Sequence, residues 1–360
     1  MSEVTVLTCF VLFYILAVVI SNNRRNVDIW NFVLVVACIV LTIIIGTRKP
    51  ASWADTNGYL YSFAHSTNEL ESYSPADKPL GYKDKGYYFL CSIIRTLTHD
   101  STVYLTTVAA IGMFLLAYNL KKYCYYPLIG LCIYIARFLL GRNFIQIRAS
   151  VAIMMLMLSM AYIVQNRKIR ASIVIGMSSL LHMSCLLGFP TLLLAKFRVQ
   201  RRYIYWGVLA ALLTATLMSP ILKSFIQDTS ENIGVAESYV SKHHNSAKNA
   251  AGLGVLNPMI YYQIAILWIY AHFEERIKRI TSYYYLFRDC YFYSTLLLIL
   301  FSSFRVLSGR TSTIYATLEI FMVPLIVRAV PRAYRLYALL FSGVVYSTFF
   351  YLDYMRKVGG

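Results

Sequence analysis

Apolar runs of about 17–25 residues, the length that crosses a bilayer as a helix, recur along the whole chain and alternate with short polar breaks. They predict spans at Val4–Ile20, Ile29–Gly46, Thr102–Leu120, Tyr126–Leu140 and Phe144–Gln165, then at Tyr203–Ser219, Pro258–Phe273, Tyr283–Phe304, Thr311–Val327 and Tyr334–Tyr351. Val4–Ile20 lacks a basic start and a small-residue cleavage site, so it reads as a retained helix and not a signal peptide. Gly86–Leu97 is apolar but short and is interrupted by Arg95, which fits an interfacial or re-entrant helix. The predicted class is an all-α polytopic membrane protein with about 11–12 membrane segments, forming a single transmembrane domain over 1–360.

The polar breaks orient these segments. Tight basic clusters occur at Arg24-Arg25, Lys121-Lys122, Arg167-Lys168-Arg170, Lys196-Arg198-Arg201-Arg202, Arg276-Lys278-Arg279 and Arg328-Arg332-Arg335, and together hold half of the 34 Lys and Arg. Short cytoplasmic loops concentrate such residues. The stretch 47–100 instead balances acids and bases and belongs outside, as does the second loop, 221–257. Residues 171–195 could be one span, but that would send one flanking cluster outward. Two short arms meeting at His182 in a V keep both clusters inside. Each arm is about 13 residues, or ~20 Å, so the apex would lie below the outer surface in a cavity. With the V, every tight cluster falls on one side and both termini face outward. No internal repeat of the kind seen in inverted-repeat transporters is visible.

Composition agrees and removes alternatives. The chain is 58% hydrophobic and 14% charged with mean hydropathy +0.57, which excludes a soluble domain of this length. Its net charge of +18 is explained by membrane orientation, so no nucleic-acid partner is expected. The seven cysteines show no CxxC pair and no zinc-ligand spacing, and read as small apolar fillers. No metal or other cofactor is expected.

Against that topology, Arg142, Arg148, Arg305 and Arg310 fall on or just under the outer face, where the orientation rule predicts few cations, and a membrane-buried Arg marks function. Residues 141 to 152 hold the first two. Asn143 followed by Gln146 predicts a helix start, with Asn143 as cap and Gln146 reaching back. Its free N–H groups, partial positive charge and two guanidiniums suit a phosphate or diphosphate. Two arginines snorkelling to headgroups fit this stretch equally well. Ser308-Gly309 predicts a turn between Arg305 and Arg310. His182 at the apex and Asp55 and Asp84 in the first outer loop supply candidate bases. Asn143 and Gln146 are candidate substrate contacts. Arg288 and Asp289, adjacent on a helix, are expected to face apart and to need separate partners, and Glu319 is expected to be paired or to line the cavity. The chemistry that needs such a set is transfer from a lipid-linked diphosphate sugar: cations stabilise the leaving diphosphate, and a His or carboxylate activates a sugar hydroxyl.

Several pieces carry a family resemblance. These are Asp55-Thr56-Asn57-Gly58-Tyr59, Asp84-Lys85-Gly86-Tyr87, Asn143 to Ala152, Leu181-His182-Met183-Ser184, and Gly309-Arg310 with Pro324 beyond. In this order the chain resembles the EpsG family of Wzy-type polymerases of bacterial surface polysaccharide. It departs where Gln146 precedes Arg148 and Ala149 follows it, and where Leu181 stands for an aromatic before His182. The resemblance implies a GT-C-like fold and a metal-independent inverting glycosyltransferase. Such an enzyme would polymerise undecaprenyl diphosphate-linked repeat units, as donor and acceptor, into O-antigen or capsule. It implies the bacterial inner membrane, with the active site toward the periplasm, and leaves open a chain-length regulator as partner. Arg148, Arg310 and His182 carry over position by position, whereas Arg142 rests on the physical argument alone. An O-antigen ligase would use the same groups but would show a larger outer loop. A lipid-linked oligosaccharide flippase would spread its cations along a channel.

The V makes a labelling prediction. Ser184→Cys is expected to react with an impermeant thiol reagent from outside, and Arg198→Cys only from inside. Labelling of position 198 from outside would restore a single span over 171–195.

Overall fold

A computed structural model describes residues 3–22, 27–49, 53, 55–77, 84–217 and 254–358, less the side chains of Asn22, Ala195, Arg305, Val306 and Val358. Helices dominate and no strand occurs among the described residues. In chain order they are α1 (Glu3–Asn22), α2 (Val27–Gly46), α3 (Thr56–His65), α4 (Lys85–Leu97), α5 (Ser101–Tyr123), α6 (Pro127–Tyr134), α7 (Ile147–Met157), α8 (Ser159–Val164) and α9 (Lys168–Leu181). There follow α10 (Thr191–Phe197), α11 (Arg201–Leu217), α12 (Pro258–His272), α13 (Glu274–Lys278), α14 (Tyr284–Leu300), α15 (Arg305–Ala316), α16 (Glu319–Ala329) and α17 (Arg335–Val358).

Among the described residues six helices are long and apolar enough to cross a membrane: Glu3–Ser21, Val27–Gly46, Ser101–Tyr123, Pro127–Ile145, Ile147–Val164 and Arg332–Lys357. A bent pair, Leu307–Ala316 with Glu319–Ala329, makes up to 7 if counted as one span. The chain is a multi-pass all-α membrane protein, as the hydropathy pattern predicts. The remaining expected spans occur as shorter helices, α11 and α14 with 17 residues each and α12 with 15. Residues 218–253, which hold most of the second predicted outer loop with His243 and His244, lie outside the described residues.

Two compact units form, Met1–Phe189 with Ile320–Gly360, and Pro190–Glu319. In the first, Pro127–Ile145 and Ile147–Val164 are mostly buried and form the centre. Around them α1, α2 and α17 turn Leu12, Phe32, Ile39 and Phe341 outward, as lipid-facing helices do. Ring stacking of Phe10 on Phe350, 4.6 Å apart, and a hydrogen bond between the Tyr14 and Ser342 hydroxyls at 2.7 Å join α1 to α17. Under the candidate site lies an aromatic core of Tyr59, Phe63, Tyr87, Tyr88 and Tyr104 with Ile147 and Val151. Phe63 stacks on Tyr104 at 4.2 Å, and the Tyr87 and Tyr104 hydroxyls bond at 2.8 Å.

The junction after Leu140 differs from the expected helix start. α6 runs on into a π-helical segment, Ile135–Ile145, closed by a bond from Gln146 N to Gly141 O at 3.0 Å. Asn143 lies inside that segment, 2% exposed, and its Oδ1 accepts the Tyr134 hydroxyl at 2.6 Å. The next helix begins at Ile147 with Gln146 in the cap position and no side-chain cap bond. A capping pair is therefore not formed. The buried Tyr134 hydroxyl supplies a partner for Asn143 that a surface cap pattern does not foresee, and the wide π turn carries the chain through the junction. Such segments are rare and cluster at functional sites.

The predicted break at His182 is present. His182 is extended (φ −155, ψ 112) after α9, and Met183–Gly188 forms a 3-10 turn. The chain doubles back there: a Cβ on Gly188 would stand 2.9 Å from Cγ2 of Ile175 and 2.8 Å from Cδ1 of Leu156. The predicted turn at Ser308-Gly309 is not formed, because Arg305–Ala316 is helical. The break comes later, between Ala316 and Glu319. Thr311, Ser312, Thr313 and Thr317 each donate to the carbonyl four residues back, a bonding pattern that bends helices.

In the second unit α14 is the common neighbour. Gly207 on α11 admits the Phe292 ring, since a Cβ there would lie 2.7 Å from Cζ. Ser294 on α14 donates to Ser312 O on α15. Arg288 and Asp289, expected to face apart, bond to each other, Nε to Oδ1 at 2.8 Å, and both are 1% exposed. The long Arg stem spans the turn between adjacent helix positions. Val199 joins them, its N–H donating to Asp289 Oδ2 at 3.1 Å and its carbonyl accepting from Arg288. Glu319 is fully buried and accepts the Tyr262 hydroxyl at 2.6 Å, so this carboxylate is paired as expected.

Gly86 and Gly58 separate packing from propensity. A Cβ on Gly86 would meet Leu180 Cβ at 2.7 Å and its carbonyl carbon and oxygen at 2.9 Å, whereas Gly58 faces open space. Gly86→Ala is expected to cost about 1–3 kcal/mol by overpacking, read as a lower unfolding midpoint in detergent, and Gly58→Ala to cost nothing. Equal midpoints for Gly86→Ala and wild type would contradict the packing.

Candidate functional site

The close approach at Gly86 sets the first turn of α4 directly on the end of α9, so Asp84, just before α4, reaches the break at His182. Asp84 Oδ1 accepts the Met183 N–H at 3.0 Å. Its Oδ2 accepts Arg148 Nη1 at 2.6 Å, and His182 Nδ1 stands 3.8 Å from the same oxygen. Arg148 arrives from the first turn of α7. Its Nε donates to the Tyr59 hydroxyl at 3.3 Å, and its guanidinium lies 5.6 Å from the Tyr59 ring centre. Three sequence-distant stretches thus converge at one end of the bundle on a carboxylate that is 9% exposed.

The electrostatics follow from these contacts. Burial alone would raise the Asp84 pKa, but the nearby His182, the Arg148 charge and the Met183 amide hold it below the usual carboxylate range. Asp84 therefore stays an anion and is a poor proton acceptor at neutral pH. Its stabilising contribution is present above the unfolded-state value and is lost as pH falls through the lower folded one. Burial also raises the Tyr59 pKa against the opposing pull of Arg148, which keeps a neutral phenol beside the guanidinium. The side chains of His182 and Arg148 keep 15% and 22% of their surface exposed, so both remain reachable.

Of the other residues marked by the sequence, Asp55 is exposed at the start of α3, and its carbonyl accepts Tyr59 N at 3.2 Å. Arg142 lies within the π-helical segment, 4% exposed, with its guanidinium 4.4 Å from the Phe138 ring centre. Asn143 is buried on Tyr134, and Gln146 is half-buried ahead of α7. Arg310 is half-buried within α15 of the second unit. Arg305 opens α15, and its side chain lies outside the described residues. Sequence reasoning missed Arg48 altogether. It follows α2 by two residues and looks like an ordinary flanking cation, yet it is 8% exposed. Its Nη1 donates to Ile45 O at 2.7 Å and its Nε to Thr56 Oγ1 at 3.3 Å, and Thr56 donates in turn to Phe144 O at 3.2 Å. Burial pulls its pKa down to about 10, which still leaves a cation at neutral pH. Among the described residues no group of three or more His, Cys, Asp or Glu is placed to hold a metal ion.

A multi-pass helical membrane protein that gathers a carboxylate, a histidine and arginines at one end of its bundle is the class this fold and site define. Residues 31–359 match the model of the EpsG family, and the chain belongs to that family. The family is bacterial, and its known Wzy-type role makes the chain a polysaccharide polymerase-like membrane glycosyltransferase. No curated protein and no solved structure matches it.

Proposed function

We propose that this chain is an inverting glycosyltransferase that polymerises undecaprenyl diphosphate-linked repeat units into O-antigen or capsule at the periplasmic face of the bacterial inner membrane. The observation that carries the reading is the convergence of Arg148 and His182 on buried Asp84. His182 turns Nδ1 toward the carboxylate, which favours the tautomer whose Nε2 accepts a proton. In this reading His182 takes the proton of the acceptor sugar hydroxyl. The hydroxyl oxygen then bonds to the anomeric carbon of the growing chain. The bond from that carbon to the diphosphate oxygen breaks, and its electron pair leaves with the diphosphate. Attack opposite the leaving group inverts the anomeric centre. Asp84 acts as a positioning residue, since its low pKa and its bond to Arg148 make it a weak base. The exposed part of the Arg148 guanidinium faces the developing diphosphate charge. Arg142 is a further proposed diphosphate ligand, and the reaction as drawn uses no metal.

In cells that depend on this chain for surface polysaccharide, His182→Ala and Arg148→Ala are expected to leave single repeat units on the surface lipid and no long chains. Arg167→Ala, an exposed arginine ahead of α9, is expected to keep wild-type lengths. Wild-type chain lengths from both site variants would refute the assignment, and loss of even single units would point to a flippase.

A further inference from the structure

The arginines of the first unit differ in how their charge is met. Arg148 has Asp84 at 2.6 Å. Arg48 is as deeply buried as Asp84. No salt bridge to Arg48 occurs among the described residues. Two of its nitrogens are fixed, on Ile45 O and Thr56 Oγ1, and the Phe144 ring centre lies 5.7 Å from its guanidinium carbon. The third, Nη2, is buried and makes no hydrogen bond. A buried cation with a donor left unmet is costly and persists where a counter-anion completes it. The helix α3 links it to the site, because Thr56, which receives the Arg48 Nε, and Tyr59, which receives the Arg148 Nε, lie one turn apart on it. A buried, rigid, uncompensated guanidinium is suited to a phosphate oxygen, which Arg holds by directed N–H bonds.

We propose that Arg48 is a diphosphate-binding residue of this site, aimed by Thr56 and donating from Nη2 to a phosphate oxygen of the ligand. This rests on the reading of the site given above as one for a lipid-linked diphosphate. Arg48 then supplies the unmatched positive charge there, while Arg148, already paired with Asp84, contributes chiefly direction. A phospholipid headgroup offers similar phosphate chemistry, and the test separates the two.

The test uses the full chain in nanodiscs of zwitterionic phosphatidylcholine, with inorganic pyrophosphate as probe and thermal unfolding as readout. Pyrophosphate is expected to raise the wild-type midpoint in a concentration-dependent way. Arg48→Met is expected to unfold at or above the wild-type midpoint without ligand, because it removes an unpaired buried charge, and to bind pyrophosphate ~10–100-fold more weakly, the loss of one charge-assisted hydrogen bond. Arg48→Lys keeps the charge but loses the fork, and is expected to fall between the two. It also serves if the Met variant does not fold. A lowered midpoint with unchanged pyrophosphate affinity in Arg48→Met would make Arg48 structural and overturn the inference. So would a wild-type protein stabilised by phosphatidylglycerol discs and not by pyrophosphate. Either result, together with loss of chain extension in His182→Ala, would leave the proposed reaction standing without this residue.

Discussion

The bond between Asp84 and Arg148, with His182 beside it, is the constraint on which the described site depends. A carboxylate and a guanidinium 2.6 Å apart in a mostly buried setting are not held for stability, since an apolar pair of similar size often does as well. They are held here by surrounding structure that leaves little freedom. The first turn of α4 rests on the backbone of Leu180, the Met183 amide occupies the second carboxylate oxygen, and Tyr59 receives the remaining Nε of Arg148. Removing either charge would strand the other below the surface.

The same arrangement explains why a membrane protein keeps polar groups here. The broken helix at His182 and the π-helical turns at Ile135–Ile145 would be costly against lipid. They sit instead among side chains that satisfy them, above a core of stacked and hydrogen-bonded tyrosines. Tyrosine suits that place because its ring packs as core while its hydroxyl meets the polar layer. The high tyrosine content of the chain is in part accounted for by this layer, in addition to interfacial belts.

Much of the fold was legible because hydropathy and basic clusters act over whole segments. The first five spans, the short α4 and the reversal at His182 follow from run length and from the side on which lysines and arginines fall. What was not legible depends on single distant partners. Asn143 looked like a cap because a cap is a local pattern, but Tyr134 holds it inside the π-helical segment. Helical spacing sets Arg288 and Asp289 on different faces, yet they bond to each other and both to the backbone of Val199. Of the candidate site, Asp84, Arg148 and His182 were marked by type and position, and the structure brings them together. Arg48 gave no signal, because an arginine just beyond an apolar run is ordinary, and only its burial without a carboxylate sets it apart.

The most direct measurement is a structure of the full chain in nanodiscs with undecaprenyl diphosphate bound. The account predicts the diphosphate within hydrogen-bond reach, about 3 Å, of Arg48 and Arg148 and beside the exposed edge of His182. A diphosphate at the opposite end of the helices, or one touching none of these side chains, would contradict it.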